Sequence, residues 1–428
     1  MKEKPKNMKA YFSKNEHLLN TIIIIMLFLQ VFILNWFHLS VYAGYIFDVL
    51  MLMSISIFYK KYDSSILKVI LIICLYFIIN FIINRGSLRD LVSNFRYLLQ
   101  PALIIVYIAY LTENNLIKSE FIRKMIKPFN VYMILNMIAI FFQIKGYTWT
   151  AGLDYSGFHT FTVFEDSISG LFGVYGVPFW GMFSIFLFLF NHIYFNKYSE
   201  KKNRTKLNIY NICLLLCVMV VSTMNDNKMF FVFLPVFLLV FFMNQIVNSK
   251  NNKSDPIKTL KQLFIITAVG LLLFFGAYIL IDKFAEIINK MTWMILRSLD
   301  YKNAYNNGSG ERIALVLYFF NELNILFGYG LGNGRWTQEE LLGYKHFGIS
   351  DFGTILCLGG MILFILIFVL FYLLFNKMFK KQYKTIVMIL VTALVMFCTQ
   401  IVYNASGMML YMLICLIFYW QDRLASEK

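Results

Sequence analysis

The sequence predicts an all-α polytopic membrane protein of about twelve transmembrane helices. One large external loop with amphipathic helices is expected between the ninth and tenth spans. Hydrophobic residues make up 59% of the 428 and charged residues 14%. Apolar runs near span length recur along the chain, and a hydrocarbon core of about 30 Å takes roughly 20 apolar residues as helix. Lysine and arginine gather in alternate connections, the signature of cytoplasmic loops. The net charge of +16 therefore reads as topology, not as a nucleic-acid surface.

In order, spans are expected at roughly 20–38, 41–58, 66–83, 97–111, 129–145, 169–195, 208–223, 229–247, 263–281, 350–375, 385–403 and 407–420. The division that follows is a bundle of nine spans over 1–281, an external loop over 282–349, and three spans with a cytoplasmic tail over 350–428. The polar, basic N-terminus is too long for a cleavable signal peptide, so Thr21 to Phe37 is expected to stay as the first span. Basic connections such as Lys60-Lys61, Arg123-Lys124, Lys201-Lys202 and Lys380-Lys381 put both termini in the cytoplasm and the long loop outside. The six cysteines all fall in apolar spans, which suggests neither a disulfide framework nor a zinc motif.

Outside the membrane, the stretch 84–96 carries Arg85, Arg89 and Arg96, whose spacing places all three on one face of a continuous helix. Two readings fit: an interfacial helix whose arginines snorkel to headgroups, or a cationic wall for a phosphate-bearing lipid. Gly146 to Ile168 holds His159, Glu165 and Asp166. A carboxylate pair there fits either a solvated helix start or a base for an acceptor hydroxyl. Gly176 and Pro178 are expected to break the sixth span near its outer end.

The long loop opens with Lys283 to Leu299, whose apolar residues recur at helical spacing and predict a helix on the membrane surface or capping the bundle. Glu311-Arg312 heads a second amphipathic helix running to Leu326, and Thr337-Gln338-Glu339-Glu340 has the pattern of a capping box. Between them lie glycines at 328, 330, 332 and 334, then Arg335. No strand precedes these glycines, so a tight turn is the simpler reading than a dinucleotide fingerprint. His346 follows the polar loop and precedes Asp351; a structural role and a base or phosphate-binding role both fit.

This pattern resembles the O-antigen polymerase and O-antigen ligase superfamily of bacterial surface-polysaccharide assembly. The layout of spans and loop carries most of the resemblance. Locally it rests on Glu311-Arg312-Ile313-Ala314-Leu315 running to Leu326-Phe327-Gly328-Tyr329-Gly330-Leu331-Gly332, on His346 ahead of the Gly359-Gly360 span, and on Ser169-Gly170-Leu171-Phe172-Gly173. Phe347 stands where members often carry Asn. Lys228 is the only cation where ligase-like members often carry Arg, which favours a polymerase.

The resemblance implies glycosyl transfer at the outer face of the bacterial cytoplasmic (inner) membrane, with the large loop periplasmic or extracellular. The donor would be an oligosaccharide on undecaprenyl diphosphate, with no nucleotide sugar, metal or cofactor, for O-antigen or capsule. Arg312, Arg335, Arg85, Arg89, Arg96 and Lys228 are the cations available to the diphosphate, and His346 or Glu165 the base for the acceptor. A chain-length regulator and a flippase are the implied partners besides the lipid bilayer. A ligase moving polymer to the lipid A core is the rival within the class. A lipid-linked oligosaccharide flippase is the rival outside it. Transporters tend to bury ionisable groups at midplane, and here Asp48 is the only acidic residue clearly within a span.

Overall fold

The computed structural model describes residues 6–34, 36–37, 39–116, 119–147, 168–173, 176–225, 227–249, 278–279, 282–297, 299, 311–334, 350–379 and 381–426. Among them the chain is helical, with no strand and a single isolated bridge between Gly86 and Gly332. Eight of these helices are long and apolar enough to cross a membrane, so the protein is an all-α, multi-pass membrane protein.

The helices are α1 (Lys6–Leu29), α2 (Ser40–Phe58), α3 (Ser64–Asn84), α4 (Leu88–Glu113), α5 (Ser119–Ile144), α6 (Val177–Tyr198), α7 (Lys201–Met224) and α8 (Lys228–Ser249). They continue with α9 (Asp282–Arg297), α10 (Glu311–Glu322), α11 (Asp351–Phe379), α12 (Gln382–Cys398) and α13 (Ala405–Ser426). The chain divides into two compact units. The first comprises 1–64, 100–233 and 404–414; the second comprises 65–99, 234–403 and 415–428.

In the first unit α6 is the central helix, with 78% of its apolar window buried against 17% for α7. Ile209, Ile212, Leu216 and Val220 on α7 are exposed at three- and four-residue spacing, a face suited to lipid rather than water. Aromatic rings fill the interior. Phe32 lies 5.0 Å from Tyr132 and 5.1 Å from Phe183, both edge-on, the geometry the ring quadrupole favours. Phe32 sits in a π-helical turn, Gln30–Leu34, that ends α1 and packs on the short turn Gly170–Phe172. Midway along α1, Glu16 pairs with Lys61 and accepts a 2.6 Å bond from the Tyr110 hydroxyl. Burial pushes the nearby Tyr62 phenol up to about 12, with Glu16 adding to the push and the Ser54 hydrogen bond opposing it.

In the second unit α10 and α12 both pack on α11. Ala314, Leu315, Tyr318 and Phe319 are the buried stripe of α10, spaced as an amphipathic helix requires. α11 is broken at Gly360, which adopts φ +66° and ψ −172°. That conformation is closed to ordinary L-residues and open to glycine.

Several element boundaries differ from the sequence expectation. α4 starts at Leu88, ahead of the expected 97, because Gly86 at φ +119° turns the chain before it. α6 starts at Val177 and not at Ser169: Gly170 and Gly173 take positive φ, and Pro178 falls in the first turn, where its missing N–H does no harm. The second amphipathic helix of the loop ends at Glu322, short of Leu326, and the eleventh span ends at Cys398. The expected ninth span lies almost wholly outside the described residues.

Candidate functional site

The glycine turn is the structural centre of the second unit. Where α11 breaks, its backbone loses intrahelical partners, and the turn supplies replacements from both sides. The amide of Tyr329 donates to the carbonyl of Cys357 at 2.6 Å and that of Gly330 to Leu358 at 3.1 Å. In return, the amides of Met361 and Ile362 donate to the carbonyls of Ile325 and Leu326 at 2.9 and 3.4 Å. Broken helix inside a membrane protein is tolerable only where its polar groups are met in this way.

Side chains of α3 and α4 fix the turn from the other side. Tyr76, Asn80 and Asn84 follow one another at four-residue spacing and so share a face of α3. The Tyr76 hydroxyl donates to the Gly359 carbonyl at 2.5 Å. The Asn80 amide nitrogen donates to the Phe327 carbonyl at 2.8 Å while its oxygen accepts from the Leu331 amide at 2.7 Å. Asn94 donates to the carbonyls of Leu331 and Asn333 at 2.9 and 2.8 Å. The Ser87 amide donates to the Gly332 carbonyl at 2.7 Å, beside the Gly86–Gly332 bridge. The amides of 326–331 and 333 are thereby all committed within the protein, so this turn is no backbone cradle for an anion. Any charge recognition falls to side chains.

Those side chains are arginines. The α3–α4 turn that bridges to Gly332 carries Arg85, and the first turn of α4 carries Arg89, both exposed, with the half-buried Arg96 two turns into α4. Arg85 stands outside α4 in the left-handed conformation, φ +59°, so the expected single face holds Arg89 and Arg96 alone. Gly332 lies three residues before Arg335, which with His346 and Glu165 is outside the described residues. The same holds for His159, Asp166 and the capping-box segment. Lys228 is the first residue of α8, with its side chain outside the description.

Arg312 is in the first turn of α10, where the helix dipole disfavours a cation. It is close enough to Cys398, the last residue of α12, to act on that thiol electrostatically. The negative end of α12 is a favourable neighbour for its charge. Asp351, five residues beyond His346, is fully buried and accepts from the amides of Ile401, Val402 and Tyr403, the last two at 2.5 and 3.2 Å. A carboxylate holding three backbone amides between α12 and α13 is a structural cap.

Comparison with protein-family models, with curated proteins and with solved structures finds no match.

The Ser169–Gly173 motif proves to be a second docked turn, in the first unit. The Gly170 amide donates to Gln143 Oε1 at 2.8 Å and the Leu171 amide to Asn136 Oδ1 at 2.7 Å. Asn225 donates to the Ile168 carbonyl at 2.7 Å and Asn227 to that of Val177 at 3.2 Å. Asn227 also caps α8, its oxygen accepting from the Phe230 amide. Sequence reasoning passed over all these amide side chains. For Asn136 and Gln143 the available signal was an amide side chain inside an apolar helix, which in a bilayer needs a partner.

Proposed function

We propose that this chain is a polysaccharide polymerase that joins undecaprenyl-diphosphate-linked oligosaccharide repeat units by glycosyl transfer at the outer face of the cytoplasmic membrane. The topology that goes with this reading has about twelve spans, cytoplasmic termini and an external loop over 282–349. The observation that carries it is the joining of the α3–α4 turn to the glycine turn at Gly86–Gly332. Through it, Arg85 and Arg89 come to the polar segment that continues into Arg335.

In the proposed reaction an acceptor sugar hydroxyl attacks the anomeric carbon of the donor glycan, and the bond from that carbon to the diphosphate oxygen breaks. Negative charge develops on the leaving lipid diphosphate, and arginine forks match its oxygens in geometry and sign. Arg312, Arg335 and the Arg85, Arg89 and Arg96 group are the cations assigned to it. The acceptor proton passes to His346 or Glu165. By the scale of a lost transition-state donor, Arg312→Ala should lower chain extension about 10²- to 10³-fold with membrane insertion intact, and His346→Ala should likewise block extension.

The test is a gel of surface polysaccharide and lipid-linked intermediates from cells lacking the gene or carrying either variant. Cells stalled at one repeat unit support a polymerase. Long polymer accumulating on undecaprenyl diphosphate would make it a ligase. Repeat units held on the cytoplasmic face would make it a flippase.

A further inference from the structure

A second cationic site lies in the first unit, where α5, α6 and α7 meet, and the reaction proposed above does not use it. The three helices are tied together by an asparagine cluster. Asn130 on α5 and Asn191 on α6 exchange reciprocal amide bonds of 2.9 Å, and Asn191 donates on to Asn211 of α7 at 3.2 Å. Toward the start of α5, two turns from Asn130, the Arg123 guanidinium lies 4.9 Å from the Tyr198 ring at the end of α6. Lys197 lies 5.5 Å from that same ring. One aromatic ring thus gathers two like charges, and an anion beside them would offset their repulsion.

α7 supplies the third wall. Asn208 bonds Asn196 of α6 at 3.5 Å, and Arg204, four residues earlier, is on the same face of α7 and so toward the end of α6. Arg204 is half-buried, and its Nε is fully shielded from solvent without a hydrogen-bond partner. A buried guanidinium N–H left unmet is destabilising, and a phosphate oxygen is the acceptor that fits it best. Lys124, Lys127, Lys202 and Lys206 are exposed along the same ends of α5 and α7, segments that also hold Glu120 and Glu200.

We infer that this three-helix junction binds the phosphodiester headgroup of an anionic phospholipid. The choice of lipid over a free anion follows from position. The basic groups are at the ends of three helices whose neighbouring turns carry exposed apolar side chains, including Ile209, Ile212, Val131 and Ile134. A headgroup at that level brings its acyl chains alongside those side chains, and basic pockets between transmembrane helices recognise lipids in this manner. In the topology of the basic connections, the site faces the cytoplasmic leaflet.

The test uses the full chain, purified and placed in nanodiscs of phosphatidylcholine alone or with phosphatidylglycerol, read by native mass spectrometry for retained lipid and by thermal unfolding. Phosphatidylglycerol should be retained and should raise the unfolding temperature. Arg123→Ala and Arg204→Ala should each weaken retention roughly tenfold, the loss expected for one charge-assisted contact. Arg204→Lys keeps the charge but removes the Nε donor; a folded Arg204→Lys protein with wild-type retention would overturn the role given to that atom. Lys377→Ala, on α11, serves as the control and should leave phosphatidylglycerol retention unchanged. Equal retention of phosphatidylcholine would overturn the inference. Stabilisation by millimolar inorganic phosphate equal to that by phosphatidylglycerol would do the same, by showing an anion site indifferent to lipid. Polymer synthesis is scored separately, so loss of lipid binding leaves the proposed reaction standing, and the reverse.

Discussion

The turn around Gly170 and the turn around Gly330 both place non-helical backbone among apolar helices, where an unmet amide or carbonyl costs about 1–3 kcal/mol. They meet that demand by different means. The first is held by amide side chains: Gln143 and Asn136 reach from α5, which stays intact, and Asn225 and Asn227 from the α7–α8 connection. The second is held by backbone: α11 opens at Gly360 and exchanges hydrogen bonds with residues 325–330, while Asn80, Asn94 and Tyr76 brace the far side. Contacts of the first kind can be removed one at a time. The second couples the turn to the course of a whole helix.

Glycine substitution is the hardest test of that difference. A Cβ at Gly360 would meet the Leu326 carbonyl oxygen at 2.3 Å and the Phe327 amide nitrogen at 2.6 Å, both backbone, at φ +66°. Gly360→Ala should therefore lose about 2–5 kcal/mol, from left-handed strain plus overpacking. Gly170 has nearly the same φ, +68°, and a Cβ there would meet the Asn136 side-chain oxygen, which holds the Leu171 amide, and the Asn136 backbone carbonyl oxygen at 2.8 Å, a wider approach than at Gly360. Gly170→Ala should lose less, about 1–3 kcal/mol, from the same left-handed strain plus a single, milder backbone approach. Thermal unfolding of the two purified variants orders them, and equal losses would mean that α11 can close without the turn.

The same contrast explains what could be read from the sequence. Apolar runs with basic ends reveal helices because the signal is local, and α2, α3 and α8 lie close to their expected positions. The glycine turn was legible as a turn. Its seat was not, because the partners are far apart in the chain: Gly332 meets Gly86, and Asn80 meets Leu331. No periodicity encodes such pairings. The spacing of Tyr76, Asn80 and Asn84 on an otherwise apolar α3 did carry a hint, since three polar groups on one membrane-helix face need partners. Of the candidate site, the arginines of α3–α4 and Arg312 can be followed into the structure. His346, Glu165 and Arg335 fall outside the described residues.

Asparagine removal gives a smaller and cleaner comparison. Asn80 is fully buried and meets both the Leu331 amide and the Phe327 carbonyl, so Asn80→Ala should cost about 2–4 kcal/mol. Asn136 is equally buried, but only its oxygen is used, for the Leu171 amide; its nitrogen has no hydrogen-bond partner. Removing that unmet donor offsets part of the loss, and Asn136→Ala should cost about 1 kcal/mol. Hydrogen exchange at the Leu331 and Leu171 amides, read with the unfolding midpoints, separates the two. If Leu331 stayed protected in Asn80→Ala, the turn would be held without Asn80, by α11, Asn94 and the Ser87 amide.

The smallest effect on stability should come from Arg85, and it is the most useful for function. Its φ of +59° is strained for arginine and free for glycine, and its side chain is exposed. Arg85→Gly should leave the unfolding midpoint unchanged or raise it, by no more than about 1 kcal/mol in stability. The backbone that joins Gly86 to Gly332 is kept, while the guanidinium beside it is lost. An arginine that merely snorkels to headgroups would leave polymer length as in the wild type. Shorter polymer from a protein at least as stable as its parent would assign the charge itself to the lipid diphosphate, because no weakening of the fold remains to explain the loss.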